Sequence, residues 1–215
     1  PMPFEELRAM VLDFCRRIDS PDAMAYVQAT RGVGMRGHAY RFAGGTPSLW
    51  VWVKPDMLDP MDRSYKAITM EDTRYFHCDI KTINLLPAVI YTQRAEEAGC
   101  DETILHRGDR VTECAHSNVH ILKDGALKTA PCDNLILPGI TRAHRIAQCR
   151  EMGIPVIEEP FTVREMMEAD EVFFTSASAL CCRIEEIDGQ KVGGRAPELI
   201  ARIQKAAWDE ALAEV

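Results

Sequence analysis

One lysine stands in a setting that suits nucleophilic chemistry. Lys81 lies between Ile80 and Ile83, immediately before an apolar stretch that is predicted to form a helix. Burial lowers the pKa of a lysine and makes available the neutral amine that Schiff-base formation requires. We therefore treat Lys81 as a candidate nucleophile and expect it to be buried. By itself the pattern is weak, because most lysines are solvated surface charges.

A glutamate further along the chain is a second candidate. Glu113 ends a predicted strand and precedes a turn of small residues. Its carboxylate could face a cationic ring nitrogen, or it could be structural and pair with Ser117 or Asn118. Residue type and position leave both interpretations open.

Two segments could bind a phosphate group. The stretch Ile-Leu-Pro-Gly-Ile-Thr-Arg at residues 136–142 is a glycine turn that leads into a predicted helix. Free N–H groups at a helix start bind phosphate, although for this segment by itself an ordinary N-cap at Thr141 is the default interpretation. The hydroxyl groups of Thr175 and Ser176, at the end of another predicted strand, could join the same site or cap the strand.

The elements that position these residues follow from hydrophobic periodicity and turn signals. Helices are predicted at residues 4–18, 85–98, 141–152, 163–168 and 197–213. Strands are predicted at residues 25–30, 48–53, 66–69, 102–106, 110–112, 119–122, 126–129, 156–160 and 171–175, with hairpin turns at Gly108-Asp109, Asp124-Gly125 and Asp188-Gly189. This is an α+β pattern with many antiparallel pairs, not the regular βαβ alternation of a Rossmann sheet.

Two irregular stretches interrupt these elements near the N-terminus. Residues 31–40 form a glycine-punctuated loop that carries Arg31, Arg36 and His38. Residues 54–63 contain two prolines and are predicted to link two domains.

Composition excludes several classes of protein. A formal net charge of −8 over 215 residues argues against a surface for nucleic acid or anionic membranes. No apolar run is long enough to span a bilayer, and no signal-peptide pattern is present, so we expect a cytoplasmic protein.

The eight cysteines are scattered and predict reduced thiols. The string from Cys114 to His120 is a poor match to metal-ligand spacing, and we expect no metal there.

Four ordered motifs together resemble a known family. They are Cys-Asp-Ile-Lys-Thr-Ile-Asn-Leu-Leu (78–86), Val-Thr-Glu-Cys-Ala-His-Ser-Asn-Val (111–119), Leu-Ile-Leu-Pro-Gly-Ile-Thr-Arg (135–142) and Ala-Asp-Glu-Val-Phe-Phe-Thr-Ser (169–176). The sequence is similar to the D-amino-acid aminotransferases within the class IV transaminases, from about residue 26 to the last helix. The resemblance implies a two-domain, fold-type IV enzyme that depends on pyridoxal 5′-phosphate (PLP).

The resemblance also implies a role for each candidate. Lys81 would bind PLP covalently and move a proton at the substrate Cα. Glu113 would face the pyridine nitrogen and keep it protonated, which makes the ring a better electron sink. The other cofactor contacts that it implies are Leu137 behind the ring and, at the phosphate, Ile140, Thr141 and Ser176.

The D-amino-acid branch is indicated by Arg36-Gly37-His38, which matches the Arg-x-His pair that binds the substrate carboxylate. A guanidinium fork suits a carboxylate, and the neighbouring imidazole can orient it. The alternative for Arg36 is a solvated charge on a loop.

Three departures from the family pattern stand out. Cys114 replaces the usual glycine after the glutamate, and Ala177 replaces a hydroxyl residue. Family members begin with strands of the small domain that supply a phosphate-binding arginine and an active-site tyrosine, and these have no counterpart here. We therefore expect a truncated or cleaved chain, in which residues 1–56 are the remaining part of the small domain and residues 57–215 the large, PLP-binding domain.

The expected activity is transfer of the amino group of a D-amino acid, of the D-alanine or D-glutamate type, to a 2-oxo acid such as 2-oxoglutarate or pyruvate. The resemblance implies a homodimer with active sites near the interface. The alternatives are a branched-chain aminotransferase, an enzyme like aminodeoxychorismate lyase, or a truncated relative without activity.

Overall fold

The computed structural model of this chain describes residues 2–39 and 45–213. The chain divides into two compact units, Pro1–Met57 and Leu58–Val215. Tyr40, the last residue of the predicted loop, lies outside the described residues. None of the helices in the described ranges is long and apolar enough to cross a membrane.

The first unit is a helix packed on a two-stranded sheet. Helix α1 (Phe4–Arg16) contacts strands β1 (Ala23–Thr30) and β2 (Ser48–Pro55), which pair antiparallel. Residues two apart on a strand share a face, so the pairing places one aromatic stripe on one side of the sheet. In that stripe the rings of Tyr26 and Trp52 stack with their centroids 5.4 Å apart.

The loop after β1 carries the predicted carboxylate-binding pair. Residues 31–39 have no regular secondary structure, and the side chains of Arg36 and His38 are exposed. Gly32 adopts a φ of +90°, a conformation that side chains with a Cβ rarely take, and so allows the chain to leave the strand. The predicted strands on both sides of this loop are confirmed.

Within the described residues, the second unit contains a nine-stranded mixed sheet in the order β5-β4-β3-β10-β9-β6-β7-β8, with β11 on β10. The pairs β3–β4, β3–β10 and β7–β8 are parallel, and the other pairs are antiparallel. The strands are β3 (Tyr65–Glu71), β4 (Glu102–Arg107), β5 (Arg110–Cys114), β6 (Asn118–Lys123), β7 (Ala126–Thr129), β8 (Val156–Glu158), β9 (Glu171–Thr175), β10 (Cys182–Ile187) and β11 (Gln190–Lys191).

The sheet must curl, because β5 and β6 are joined by only residues 115–117. Four other strands separate these two in the sheet order, which amounts to about 24 Å across a flat sheet. A three-residue link spans at most about 15 Å. Curling therefore brings the end of β5 next to the start of β6, and with it the side chains of Glu113 and Asn118.

The hairpins predicted at two Asp-Gly dipeptides are confirmed. Asp124 and Gly125 have φ values of 49° and 78°, and Asp188 and Gly189 have values of 51° and 73°. Two consecutive residues with positive φ form a turn whose twist matches that of the flanking strands, and aspartate followed by glycine tolerates it best. These turns fix the register of β6 with β7 and of β10 with β11.

The core lies on both faces of the curled sheet. Phe173 and Phe174 are consecutive on β9 and so point to opposite faces. Phe174 packs edge-on against Tyr65 within one buried cluster. Phe173 belongs to the other cluster, which also contains buried residues of helices α3 (Ile140–Glu151) and α5 (Pro197–Ala213). This packing positions the N-terminus of α3.

Two further helices complete the unit. Helix α2 (Leu86–Glu97) packs on the sheet through Tyr91 and Ala95, and α4 (Val163–Met167) is a single short turn with a capping box. Before α2, residues 72–85 form an irregular segment that carries Lys81. The Tyr91 hydroxyl accepts a hydrogen bond from the backbone N–H of Thr73 at 2.8 Å, which ties the start of this segment to the helix.

Candidate active site

Glu113 lies at the centre of the candidate site. It is near the end of β5 and is 5% exposed. Its Oε2 accepts hydrogen bonds from the backbone N–H of Leu137 at 2.9 Å and from the side-chain amide of Asn118 at 3.0 Å. Its Oε1 accepts one from Arg74. The structure thus brings together two residues predicted for the cofactor ring, Glu113 and Leu137.

Asn118 joins Glu113 to the loop before α3. Besides Glu113, its amide donates to the carbonyl of Leu137 at 2.9 Å. A Cβ placed on Gly139 would lie 2.1 Å from Oδ1 of Asn118, far inside contact distance. The glycine of the predicted turn is therefore required by this close approach. Of the two interpretations of Glu113, its pairing with Asn118 is confirmed, and this pairing leaves Oε1 with a lone pair for a further donor.

The start of α3 is an open helix N-terminus. Gly139 is its N-cap, with extended backbone angles and no side-chain cap. The first N–H groups of a helix, here those of Ile140 and Thr141, have no acceptor within the helix and can bind an anion. The alternative prediction that Thr141 is an ordinary N-cap is wrong, because Thr141 lies inside the first turn.

Thr141 and Ser176, both predicted at the phosphate, are also brought together. The Thr141 hydroxyl donates to the carbonyl of Ser176 at 2.8 Å. The Ser176 Oγ accepts from the backbone N–H groups of Ala179 at 3.0 Å and Ser178 at 3.3 Å. The Ser176 Oγ also lies 3.4 Å from the Oγ of Ser178, which donates to Asp59 at 2.7 Å.

Lys81 does not have the burial predicted for it. Its side chain is exposed, and its neighbours Ile80 and Ile83 are 56% and 91% exposed. The reason is that residues 72–85 pair with no strand, so the downstream part of the segment lies on the surface of the unit. Within the described ranges, the structure records no hydrogen bond or ion pair of the Lys81 amine.

The upstream part of the Lys81 segment is tied to the Leu137 loop. The backbone N–H of Cys78 donates to the carbonyl of Asn134 at 3.0 Å, and the Asn134 amide donates to the carbonyl of Phe76 at 3.1 Å. These two bonds hold the lysine segment beside the loop that contacts Glu113.

Arg74 was missed by the sequence analysis. One Nη of its guanidinium contacts Glu113, and the other donates to the carbonyl of Leu135 at 3.2 Å. Its Nε is bound to Asp72, which is itself buried. The only signal in the sequence was the pair of opposite charges at Asp72-Thr73-Arg74, which is also common on exposed loops.

Burial and the neighbouring charges together set the pKa values of Glu113 and Arg74. Burial raises the pKa of Glu113 to about 7, although the charge of Arg74 and the N–H of Leu137 oppose the shift. Burial acts against the charge of Arg74 as well, but its hydrogen bonds with Asp72 and the charge of Glu113 raise its pKa above the ordinary value. The guanidinium therefore remains a fixed positive charge beside a carboxylate that can hold a proton near neutral pH.

The two histidines of the segment from Cys114 to His120, which was compared above with metal-ligand spacing, have other partners. His120 is fully buried, its Nε2 lies 2.9 Å from the hydroxyl of Thr175, and its ring stacks on Phe173. Burial lowers the pKa of His120 to about 3, so it is neutral. The Nδ1 of His116 lies 3.4 Å from Glu102. In the part of the chain that is described, no three His, Cys, Asp or Glu side chains are grouped to hold a metal ion.

Comparison with known proteins decides the family. Residues 1–187 match the pattern of Amino-transferase class IV. The chain belongs to this family. A D-alanine aminotransferase of Staphylococcus haemolyticus is 39% identical over 191 residues, which are 88% of this chain and 68% of that protein. A D-alanine aminotransferase of Bacillus licheniformis is 37% identical over 97% of this chain and 75% of that protein.

A solved structure supports the same fold. The branched-chain amino acid aminotransferase from Escherichia coli superposes with a TM-score of 0.80 and 26% identity, over 96% of this chain and 70% of that one. The predicted α+β, fold-type IV architecture is confirmed.

Class IV aminotransferases use PLP, and the residues present fit it. A buried carboxylate with a free lone pair suits a protonated ring nitrogen. The uncapped start of α3, with the Ser176 hydroxyl beside it, suits a phosphate. The chain is thus a PLP-dependent aminotransferase.

Proposed function

We propose that this class IV aminotransferase transfers the amino group of a D-amino acid, such as D-alanine or D-glutamate, to a 2-oxo acid such as 2-oxoglutarate or pyruvate. The observation that carries the proposal is the junction of Glu113 with the Leu137 loop and the start of α3, where ring and phosphate contacts meet. The D-alanine aminotransferases at 37–39% identity support the choice of substrate.

In this proposal Glu113 holds a proton at the ring nitrogen, and Arg74 keeps the carboxylate oriented. The N–H groups of Ile140 and Thr141 and the hydroxyl of Ser176 hold the phosphate. Leu137 packs behind the ring. When bound, PLP supplies an electron sink for the electron pair left at the substrate Cα after its proton is removed.

Lys81 has two roles in the proposal. Its amine binds the cofactor covalently when substrate is absent, and it takes and returns the proton at the substrate Cα. Its exposed position does not provide the desolvation that favours a neutral amine. Filling of the site by cofactor and substrate would supply that desolvation, because both exclude water from the amine.

Arg36 and His38 are proposed to bind the substrate carboxylate. Both lie on an irregular loop, where binding residues are common. A carboxylate bound by a guanidinium through two parallel hydrogen bonds has a fixed orientation. Only one enantiomer of the amino acid then presents its Cα proton to the base.

The substrate proposal is tested by absorbance. The purified protein is loaded with PLP, and its visible band is recorded before and after D-alanine and, separately, L-leucine. The proposal predicts loss of the band with D-alanine only, in the wild type and not in Lys81→Ala. Loss with L-leucine alone would favour the branched-chain alternative, which the Escherichia coli relative supports. No response to either would favour a relative without activity or one resembling aminodeoxychorismate lyase.

We also propose a cytoplasmic homodimer. Several large apolar side chains at the start of α2 are unusually exposed for a monomer, and a second copy of the chain would cover them. These residues are Ile83 at 91%, Leu86 at 68% and Val89 at 60% exposure. Sedimentation of the wild type should give a dimer and Val89→Glu a monomer, whereas Gln93→Glu on the same helix should leave the dimer intact.

A further inference from the structure

Asp72 is a buried carboxylate whose hydrogen-bonding capacity is fully used. Its side chain has no exposed surface. Its Oδ1 accepts from the backbone N–H of Arg74 at 3.1 Å and from the Arg74 Nε at 2.9 Å. Its Oδ2 accepts from the Arg74 Nη2 at 2.9 Å, the Arg107 Nε at 3.3 Å and the Thr112 hydroxyl at 3.1 Å. A carboxylate bound this completely cannot turn.

This arrangement fixes the direction of Arg74. Nε and Nη2 are both bound to Asp72, and Nη2 also donates to the carbonyl of Leu135. These bonds hold the planar guanidinium in an orientation in which Nη1 meets Oε1 of Glu113. Arg107 strengthens the arrangement, because its Nη2 donates to the carbonyl of Arg74 at 2.9 Å. Its guanidinium also lies 4.3 Å above the ring of Phe76.

We propose that Asp72 is a positioning residue for the cofactor-binding carboxylate: it holds Arg74 against Glu113 and thereby favours the ionised form of Glu113, which receives the ring nitrogen. The proposal rests on the proposed role of Glu113, but its structural half concerns the protein without cofactor. Asp72 itself touches neither ring nor substrate and acts through Arg74.

Asp72 could influence Glu113 in two ways that have opposite signs. As a nearby negative charge it disfavours ionisation of Glu113, and its removal would lower the pKa of that group. As the anchor of Arg74 it favours ionisation, and its removal would release the guanidinium and raise the pKa. The thiols of Cys78 and Cys114 also lie near Glu113. Burial raises the pKa of each thiol, so both stay neutral below the alkaline range. The remaining charged group of the cluster, Arg107, binds Asp72 and the carbonyl of Arg74.

The experiment follows the titration of Glu113 directly. Apo protein with carbon-13 at the glutamate carboxyls is titrated by NMR, and the Glu113 signal is identified by its absence in Glu113→Gln. In Asp72→Asn, which keeps the size of the side chain, we expect the pKa of Glu113 to rise by about one unit or more, since losing an opposite charge has that effect. A fall or an unchanged value would overturn the proposal.

Two further variants serve as a second test and as a control. Arg74→Lys keeps the positive charge but cannot bind both carboxylates in this way, so it should raise the pKa of Glu113 even if Asp72→Asn does not fold. An unchanged value in Arg74→Lys would also overturn the proposal. Asp170→Asn removes a carboxylate paired with Arg195, at the residue before β9, and should leave Glu113 unaffected.

A cofactor readout separates this proposal from the proposed function. PLP affinity of Asp72→Asn should fall as pH is lowered, following the raised pKa of Glu113, while the wild type changes less over the same range. If the carboxyl titration shifts as expected but PLP does not bind the wild type, the proposed function fails and the positioning of Glu113 by Asp72 stands.

Discussion

The backbone N–H of Leu137 donates a hydrogen bond of 2.9 Å to Oε2 of Glu113. This bond joins the end of β5 to the loop before α3, two parts of the chain that no local signal connects. It places a buried carboxylate beside an open helix N-terminus, and a ring with a phosphate arm requires both.

The ionisation of Glu113 should appear in the stability of the protein. Burial raises the pKa of Glu113 from 4.5 to about 7, so the folded chain binds this proton more tightly than the unfolded chain. The resulting stabilisation is fully present below pH 4.5 and is lost as pH rises through 7. Relative to Glu113→Gln, the wild type should lose up to about 3 kcal/mol of unfolding free energy over this interval.

That difference is measured by urea unfolding of both proteins between pH 4.5 and 8. Comparison with the glutamine variant removes the contribution of other titrating groups. A constant difference, or one that grows in favour of the wild type as pH rises, would contradict the shift.

Gly139→Ala should disrupt the junction. Its methyl group would lie 2.1 Å from Oδ1 of Asn118, so the amide must move and lose its bonds to Glu113 and to the Leu137 carbonyl. We expect a loss of about 1–3 kcal/mol in the free energy of unfolding and weaker PLP binding. Gly45→Ala is the matched control, because no heavy atom lies within 4 Å of a Cβ there. Equal effects of the two changes would argue against the close approach.

Thr141→Val tests the phosphate end. The change removes the hydroxyl bond to the Ser176 carbonyl and leaves the backbone N–H in place. The stability cost should be about 1 kcal/mol, and PLP affinity measured by fluorescence should weaken several-fold without being abolished. Thr141→Ser keeps the hydroxyl and should behave as the wild type. Complete loss of binding in Thr141→Val would show that the hydroxyl, not the N–H, holds the phosphate.

Arg36→Met tests the substrate proposal. Loss of a charge-assisted bond to the carboxylate should lower kcat/KM for D-alanine roughly 10- to 100-fold, because such bonds contribute about 1.5–3 kcal/mol. PLP affinity should not change. The control is Arg16→Met at the end of α1, which should leave both values unchanged. An equal effect of the two substitutions would remove Arg36 from the carboxylate site.

Local signals predicted much of the fold, and non-local contacts account for what they missed. The Asp-Gly hairpins at 124–125 and 188–189 depend on two residues each, and they were found. The parallel pairing of β10 with β3 joins segments more than 100 residues apart, and no short-range pattern encodes it. The sequence predicted β3 at residues 66–69, but of β10 it predicted only the turn that follows it.

The site shows the same division. Glu113, Leu137, Thr141 and Ser176 lie in motifs, and the structure brings Glu113 next to Leu137 and Thr141 next to Ser176. Their contacts with PLP stay a prediction. Arg74 was missed because its partner lies 39 residues away and an arginine between polar residues looks solvated. The expected burial of Lys81 was wrong because flanking isoleucines indicate a core only when their strand or helix packs, and residues 72–85 form neither.

The most direct test of the central claim is chemical trapping at Lys81. The protein is incubated with PLP, reduced with borohydride, digested and analysed by mass spectrometry. The account predicts one pyridoxyl group, fixed to the peptide that contains Lys81, and none in Lys81→Ala. Labelling spread over other lysines, or unchanged labelling of Lys81→Ala, would contradict the assignment of Lys81 as the cofactor-binding residue.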